Sequence, residues 1–320
     1  MAPSPPEHDL PLLPPRDPAG HKGTFGTVAV IGGCALPDTR MIGGPCLSAL
    51  AALRAGAGLA RLALPEPILD AALTIAPSAT GVPLPVDHEQ SLVPHSAAVV
   101  FDELVAESSC IAIGPGLGLG EGPRAISLRA VVQEEIPVVV DADALNNHAD
   151  IPELQRDFHA HAILTPHPGE FRRLAAPLGV TADPTADEQR PLAAEQLAQR
   201  LGCIIVLKGR RTVVSDGHQT WTNDTGSAAL ATAGTGDVLT GVIASLVAQH
   251  HRAPLIAGER TVTSERRGGL SLFDCARIAV RAHGAAAELW TESARADAGL
   301  LAQDLIEHLP RALQRHRKAP

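Results

Sequence analysis

The chain has 320 residues, 45% of them hydrophobic and 19% charged, with a formal net charge of −9 and a pI near 5.8. That balance supports a buried core and argues against general nucleic-acid or anionic-membrane binding, because the field of the whole molecule repels polyanions; a local phosphate site stays open. No apolar run approaches the length needed to cross a bilayer, and the opening MAPSPPEHDL lacks the basic and apolar regions of a secretory signal, so a cytoplasmic location is expected.

In chain order, residues 1–20 carry seven prolines and read as an extended or disordered arm, with one folded domain from His21 to the end at 320. TVAVIGG (27–33) reads as a strand, PCLSALAALRAGAG (45–58) as a helix closed by glycines, and LARLALPE (59–66) as a second strand. CIAIGPG (110–116), IPVVVDADA (136–144), HAILTPHPGE (161–170), CIIVLKG (203–209) and TVVSDG (212–217) repeat the pattern of a short apolar run ending in glycine, proline or acid. Helix-length stretches lie between several of them, which predicts a mainly parallel sheet covered on both faces. VLTGVIASLVAQ (238–249) and FDCARIAVRAHGAAAELW (273–290) read as helices, the first with Leu239, Val242, Ile243, Leu246 and Val247 along one face. The aperiodic, charged segment 251–269 between them reads as a surface insertion.

The five cysteines stand singly in apolar surroundings without a CxxC pair, and are expected to be buried and reduced. His159, His161, His250 and His251 lack the spacing of a helical metal motif and are expected at the surface.

The ends of the predicted strands carry the chemistry, where open parallel sheets collect ligands. Only three of 26 basic residues are lysine. One of them, Lys208, follows a buried-looking run and precedes Gly209, which suits an ammonium beside backbone that can approach a phosphate, or equally a lysine snorkelling at a strand end. GPGLGLGEG (114–122) matches neither GxGxxG nor GxxxxGK[ST] and reads as a flexible turn. In TPHPGE (165–170) two prolines bracket His167, leaving His167 and Glu170 as an acid, a base or hydrogen-bonding groups, or as parts of a rigid turn. DADALN (141–146) sets two carboxylates after a strand, suited to a magnesium-water shell or a ribose, with Asp143 as an N-cap the plainer alternative. In ATAGTGDVLTG (231–241), backbone donors from 234 to 237 suit a phosphate, while Asp237 is either a helix cap or a base for a hydroxyl attacking that phosphate.

HKGTFGTVAVIGG (21–33), LAALRAGAG (50–58), IGPGLG (113–118), DADALN, ILTPHPGEF (163–171), VLKGRRTVV (206–214), NDTGSAALATAGTGDVLTG (223–241) and LLAQDLIEHLP (300–310) occur in this order. Together they resemble the ADP-dependent NAD(P)H-hydrate dehydratases, a branch of the ribokinase-like superfamily, from about His21 to Leu313. The resemblance implies a three-layer α/β/α fold with a mainly parallel central sheet, and a repair enzyme that restores NADH or NADPH from the S epimer of its hydrate while ADP becomes AMP and phosphate. Carried over by motif, Lys208, Gly209, Arg210, Arg211, Thr212, Gly234, Thr235 and Gly236 would bind the nucleotide. Gly44, Pro45, Gly116, His167 and Asp237 would face the hydrated nicotinamide, with Asp237 as the catalytic base. Implied too are a magnesium ion, a homo-oligomer, and a separate epimerase acting on the same metabolite.

MIGGPCLSA (41–49), Ser227 to Ala229 and Ala233 depart from the family pattern, and the scarcity of aromatic residues predicts that adenine rests on aliphatic side chains. The rival readings are a small-molecule kinase of the same superfamily and a catalytically silent nucleotide-binding protein. The nucleotide product separates them.

Overall fold

The β-branched runs form strands that are apolar on both faces, as strands in the middle of a three-layer structure must be. In the computed structural model, which describes residues 10–251 and 269–318, β1 (Thr27–Ile31) turns Val28 and Val30 into one hydrophobic core and Ala29 and Ile31 into another. A short hairpin, β2 (Cys34–Leu36) and β3 (Thr39–Met41), precedes α1 (Gly43–Arg54). Next come β4 (Leu59–Pro65), α2 (Glu66–Ile75), β5 (Thr80–Leu84), α3 (Pro94–Glu107), β6 (Cys110–Ile113) and α4 (Glu121–Val132). They are followed by β7 (Val138–Val140), α5 (Ala142–Ala149), α6 (Leu154–Asp157), β8 (Ala162–Leu164), α7 (Pro168–Ala175) and α8 (Arg190–Leu201). The chain continues through β9 (Ile204–Leu207), β10 (Val213–Ser215), β11 (Thr220–Thr222), α9 (Thr235–His250), α10 (Leu272–Ala294) and α11 (Ala302–Gln314).

Nine of the strands make one sheet in the order β11-β10-β9-β8-β7-β6-β1-β4-β5. From β9 to β5 every pairing is parallel, while β10 and β11 add an antiparallel edge. Residues of α1, α2, α9, α10 and α11 pack in the core on one face, and those of α3, α4, α5, α7 and α8 in the core on the other. The three-layer α/β/α architecture with a mainly parallel sheet is therefore present. Because the strands run the same way, Gly32, Gly114, Asp141, Thr165 and Lys208, which follow β1, β6, β7, β8 and β9, share one edge of the sheet.

Several expectations change. The folded part was placed from His21 onward, but Leu13 is fully buried and bridges Arg317 near the other end of the chain. Its apolar side chain outweighs the disorder tendency of the surrounding prolines. Residues 1–9 of the arm and 252–268 of the expected insertion lie outside the described residues. α9 is buried nearly all round rather than along one face, since α1 and α10 flank it. His159 and His161 are exposed as expected. His250 and His251 are half-buried, and burial with the nearby Arg317 and Arg16 pushes His250 down to about 4. All five cysteines are free and buried.

Candidate active site

Helix α9 begins at Gly234, whose φ of 87° reverses the chain and places Gly234 rather than Asp237 at the N-cap. The first turn then exposes backbone N–H groups without intrahelical acceptors. Asp237 lies inside that turn, and its side chain reaches the first turn of α1: a Cβ built on Gly44 would lie 3.1 Å from its Oδ1. Two helix N-termini thus meet around one carboxylate.

The helices are fixed at this angle by small and hydroxyl residues. Gly241 lets α9 approach α1 so closely that a Cβ there would lie 2.1 Å from the Ser48 carbonyl oxygen. Ser48 Oγ donates to the Asp237 carbonyl at 2.8 Å, and Ser245 Oγ to the Ala52 carbonyl at 2.8 Å.

Lys208 projects from the end of β9 to the same place, and a Cβ on Gly236 would lie 3.6 Å from its Nζ. Its ammonium is not a free phosphate ligand. Nζ donates to Asp141 Oδ1 at 2.6 Å and lies 3.8 Å from Glu170 Oε2. Burial works against the charge on Lys208, but Asp141 and Glu170 outweigh it and hold the ammonium above its ordinary range. Asp141 is buried too, yet Lys208 and hydrogen bonds from Lys208 and Thr240 keep it below the usual carboxylate range. Its second oxygen accepts from Thr240 Oγ1 at 2.6 Å.

Of the two carboxylates of DADALN, Asp141 is thus engaged by protein partners at both oxygens. Asp141 occupies the N-cap position of α5 without capping through its side chain, and Asp143 accepts from the Gly118 N–H at 2.9 Å.

Asp237 is placed differently. Burial is the main influence, reinforced by the negative charges of Asp141, Asp143 and Glu170 and opposed by Lys208, and together they push its carboxyl up to about 7. His167 is the N-cap of α7. Its Nδ1 accepts from the Gly169 N–H at 2.9 Å, while Glu170 Oε2 accepts from the His167 backbone N–H at 2.7 Å, a reciprocal capping box. Burial, then Lys208 and Arg173, lower the imidazole's affinity for a proton. Glu170 reaches back from this box to Lys208, which ties TPHPGE to the site.

Beside Lys208 opens a cleft of about 800 Å³. Lys208, Gly209, Arg210, Arg211, Thr212, Thr235 and Gly236 all line it; Gly234 stands just behind, against Leu47. Thr212 Oγ1 closes the Gly209 to Thr212 turn by donating to the Gly209 carbonyl at 3.0 Å, and Arg211 takes a φ of 57° within it. The Thr235 hydroxyl lies 2.9 Å from the carbonyl oxygens of both Leu230 and Thr232, so Thr235 shapes the wall and has no hydroxyl donor left for a ligand. Leu230, Leu239 and Val280 give the cleft an aliphatic wall.

The residues expected on the substrate side form a second group. Pro45 and Pro115 close on Gly32, where a Cβ would lie 3.2 Å from Pro45 Cβ and 2.2 Å from the Pro115 carbonyl oxygen, and Gly116 packs against Met41. Gly44 carries this group to Asp237, but the structure brings His167 to Lys208 only through Glu170.

A family model described as NAD(P)H-hydrate dehydratase matches residues 28–311. The chain belongs to the NAD(P)H-hydrate dehydratase family. Among related proteins, it is 34% identical over 311 residues to the ADP-dependent (S)-NAD(P)H-hydrate dehydratase of Bacillus subtilis, covering 97% of this chain and 96% of that one. A solved structure of the Bacillus subtilis ADP/ATP-dependent NAD(P)H-hydrate dehydratase, co-crystallised with ATP and Mg²⁺, is similar at a TM-score of 0.73 and 30% identity, covering 97% and 99% of the two chains. The bifunctional NAD(P)H-hydrate repair enzyme of Salinibacter ruber is 37% identical over 305 residues, 93% of this chain and 50% of that protein. This chain spans about half the length of the bifunctional relatives it matches.

Sequence reasoning missed three parts of this dehydratase-family site. Buried Arg190, on α8, donates to the Pro184 and Leu207 carbonyls at 2.7 and 2.9 Å and so sets where β9 ends. His283, from α10, lines the cleft and lies 2.8 Å through Nε2 from the Thr235 carbonyl oxygen. Thr240 holds Asp141. For Thr240 a signal existed: a hydroxyl residue inside an apolar helix, three positions after Asp237 and so on a neighbouring face.

Proposed function

We propose that this chain catalyses the ADP-dependent dehydration of the S epimer of hydrated NADH or NADPH, releasing AMP and phosphate. The observation that carries the reading is Asp237: a half-buried carboxyl near the midpoint of its titration at neutral pH, at the mouth of α9 and in contact with Gly44. A base is most useful when its proton affinity lies near the working pH. The family and the Bacillus subtilis relative, similar over nearly its whole length, supply the substrate class.

In this reading ADP lies in the cleft with its base on Leu230, Leu239 and Val280 and its diphosphate toward Lys208, Gly209 and the N–H groups of Gly236 and Asp237. The hydrated nicotinamide lies on the Gly44, Pro45 and Gly116 side. Asp237 takes the proton of the C6 hydroxyl, whose oxygen attacks the β-phosphorus as the bond to the bridging oxygen breaks and AMP leaves. The C6 phosphate ester then departs, driven by the ring nitrogen's electron pair, and loss of the neighbouring C5 proton restores the dihydropyridine. Lys208 and the helix N-terminus stabilise the charge developing on the transferred phosphoryl group.

Among the described residues no group of three or more potential metal-ligating side chains occurs, and both Asp141 oxygens are taken. In this reading magnesium would arrive on the diphosphate oxygens with its own waters. We further propose a cytoplasmic setting, supported by the five free, buried thiols, a homo-oligomer, and an epimerase that acts on the same metabolite.

The test is incubation with hydrated NADH, ADP and magnesium, following the absorbance of reduced nicotinamide and the nucleotide product, with ATP in a parallel arm. AMP, free phosphate and rising absorbance are expected; a stable phosphoester with ATP converted to ADP would make the chain a small-molecule kinase instead. Asp237→Asn should abolish turnover and leave ADP binding by calorimetry within about threefold.

A further inference from the structure

The most tightly organised group in the site is not one that the mechanism uses. Asp141 is 1% exposed, and its two oxygens are held by Lys208 Nζ and Thr240 Oγ1, each at 2.6 Å. Lys208 stands at Gly236, one residue from Asp237, and the two opposite charges influence each other. Left alone, a half-buried ammonium beside a half-buried carboxylate closes into an ion pair, and a carboxylate so paired is a weak base. Asp141 is the stronger claimant for that ammonium because it is deeper and fixed on its far side by α9 itself.

We propose that Asp141, clamped by Thr240, is a positioning residue that holds the Lys208 ammonium away from Asp237 and so keeps Asp237 free to accept the substrate's proton. The charged groups that act on Asp237 are Asp141 and Asp143 at the start of α5, Glu170 from α7 and Lys208 after β9, while Gly44 and Ser48 of α1, both uncharged, stand against it. Removing the Asp141 charge both takes one anion from this set and releases its only cation. Both changes act in the same direction.

The base role of Asp237 rests on the proposed dehydratase reading, but its titration does not, so the two are tested separately. Carboxyl ¹³C-labelled aspartate in the full chain gives the Asp237 midpoint, assigned by the signal lost in Asp237→Asn. The midpoint is read in four proteins: wild type, Asp141→Asn, Lys208→Met and the double variant. Asp141→Asn is expected to lower it by on the order of one pH unit or more, and to lower it by less when Lys208 is already Met. An unchanged midpoint in Asp141→Asn overturns the proposal, and an equal fall in both backgrounds leaves only a charge effect and removes the part played by the lysine. Should Asp141→Asn fail to fold with Lys208 unpaired, Thr240→Val, which removes the clamp on Asp141 and keeps its charge, supplies the test: the midpoint must fall, and an unchanged midpoint overturns the proposal. If the shifts appear but hydrated NADH is not turned over, the dehydratase reading fails and the arrangement of Asp141 stands. If turnover is present, the acid limb of kcat/KM must move with the titration.

Discussion

Asp237→Asn should make the protein more stable while it makes it inactive, and the gain should depend on pH. In the unfolded chain the carboxyl titrates at its ordinary value of 3.8, whereas in the site it is pushed up to about 7, chiefly by burial and then by Asp141. Between those values the folded state holds the proton more tightly than the unfolded state, so stability falls as pH rises through the interval. The destabilisation is absent below about pH 4 and complete above about pH 7. At 1.36 kcal/mol for each unit of pKa the full effect is about 4 kcal/mol, and solvent at the partly open rim reduces it to about 2 to 4 kcal/mol. Asparagine fills the same space without the charge. At roughly 2 °C per kcal/mol for a chain of this size, Asp237→Asn should melt about 4 to 8 °C above wild type at pH 8, with most of the difference gone by pH 4.5. Calorimetric melts of both proteins at the two pH values measure it. An equal melting temperature at pH 8, or a difference that persists undiminished at pH 4.5, would refute the account of a carboxylate ionised against its surroundings.

Two glycines probe the geometry around that carboxylate. Gly44→Ala adds a methyl 3.1 Å from Asp237 Oδ1 on a helical backbone that accepts alanine, so kcat should fall by about 10²-fold with the ADP dissociation constant unchanged; equal kcat would mean that Gly44 does not border the reacting group. Gly241→Ala sets a methyl 2.1 Å from the Ser48 carbonyl oxygen and must push α9 off α1, with a loss of about 3 kcal/mol in urea unfolding and of activity with it. Full stability there would show that the helix pair tolerates separation.

The fold was legible where residue type alone sets the local structure. Val138–Val140 and Ile204–Leu207 are apolar on every residue, and only a strand covered on both faces has use for such a run. The hairpin of Cys34–Leu36 and Thr39–Met41 and the edge strand Thr220–Thr222 left no comparable trace, because each strand is three residues long and part-exposed, and pairing with a neighbour decides its structure. In the site, Asp237, Lys208 and His167 stood out through their flanking glycines and prolines. What those groups do to one another did not: Asp141 looked like a ligand for magnesium and is a partner for lysine, a relation that exists only once β7 and β9 end at the same edge. His167, read as an acid, a base or a hydrogen-bonding group, or as part of a rigid turn, caps the start of α7 through its imidazole.

The close pairing of α1 and α9 also bears on how the protein comes into being. Ser48 and Asp237, which share a hydrogen bond, are 189 residues apart in the chain. A ribosome that has made β1, α1 and the strands through β9 has not yet made the element that covers α1. Until α9 emerges, the α1 face carrying Ser48, Ala51 and Ala52 has no partner there, although all three are fully buried in the finished protein. Such long-range closure is slow and leaves apolar surface open during synthesis. The site is thus among the last parts to assemble: the helix that brings Asp237 is the same one that seals the core behind it.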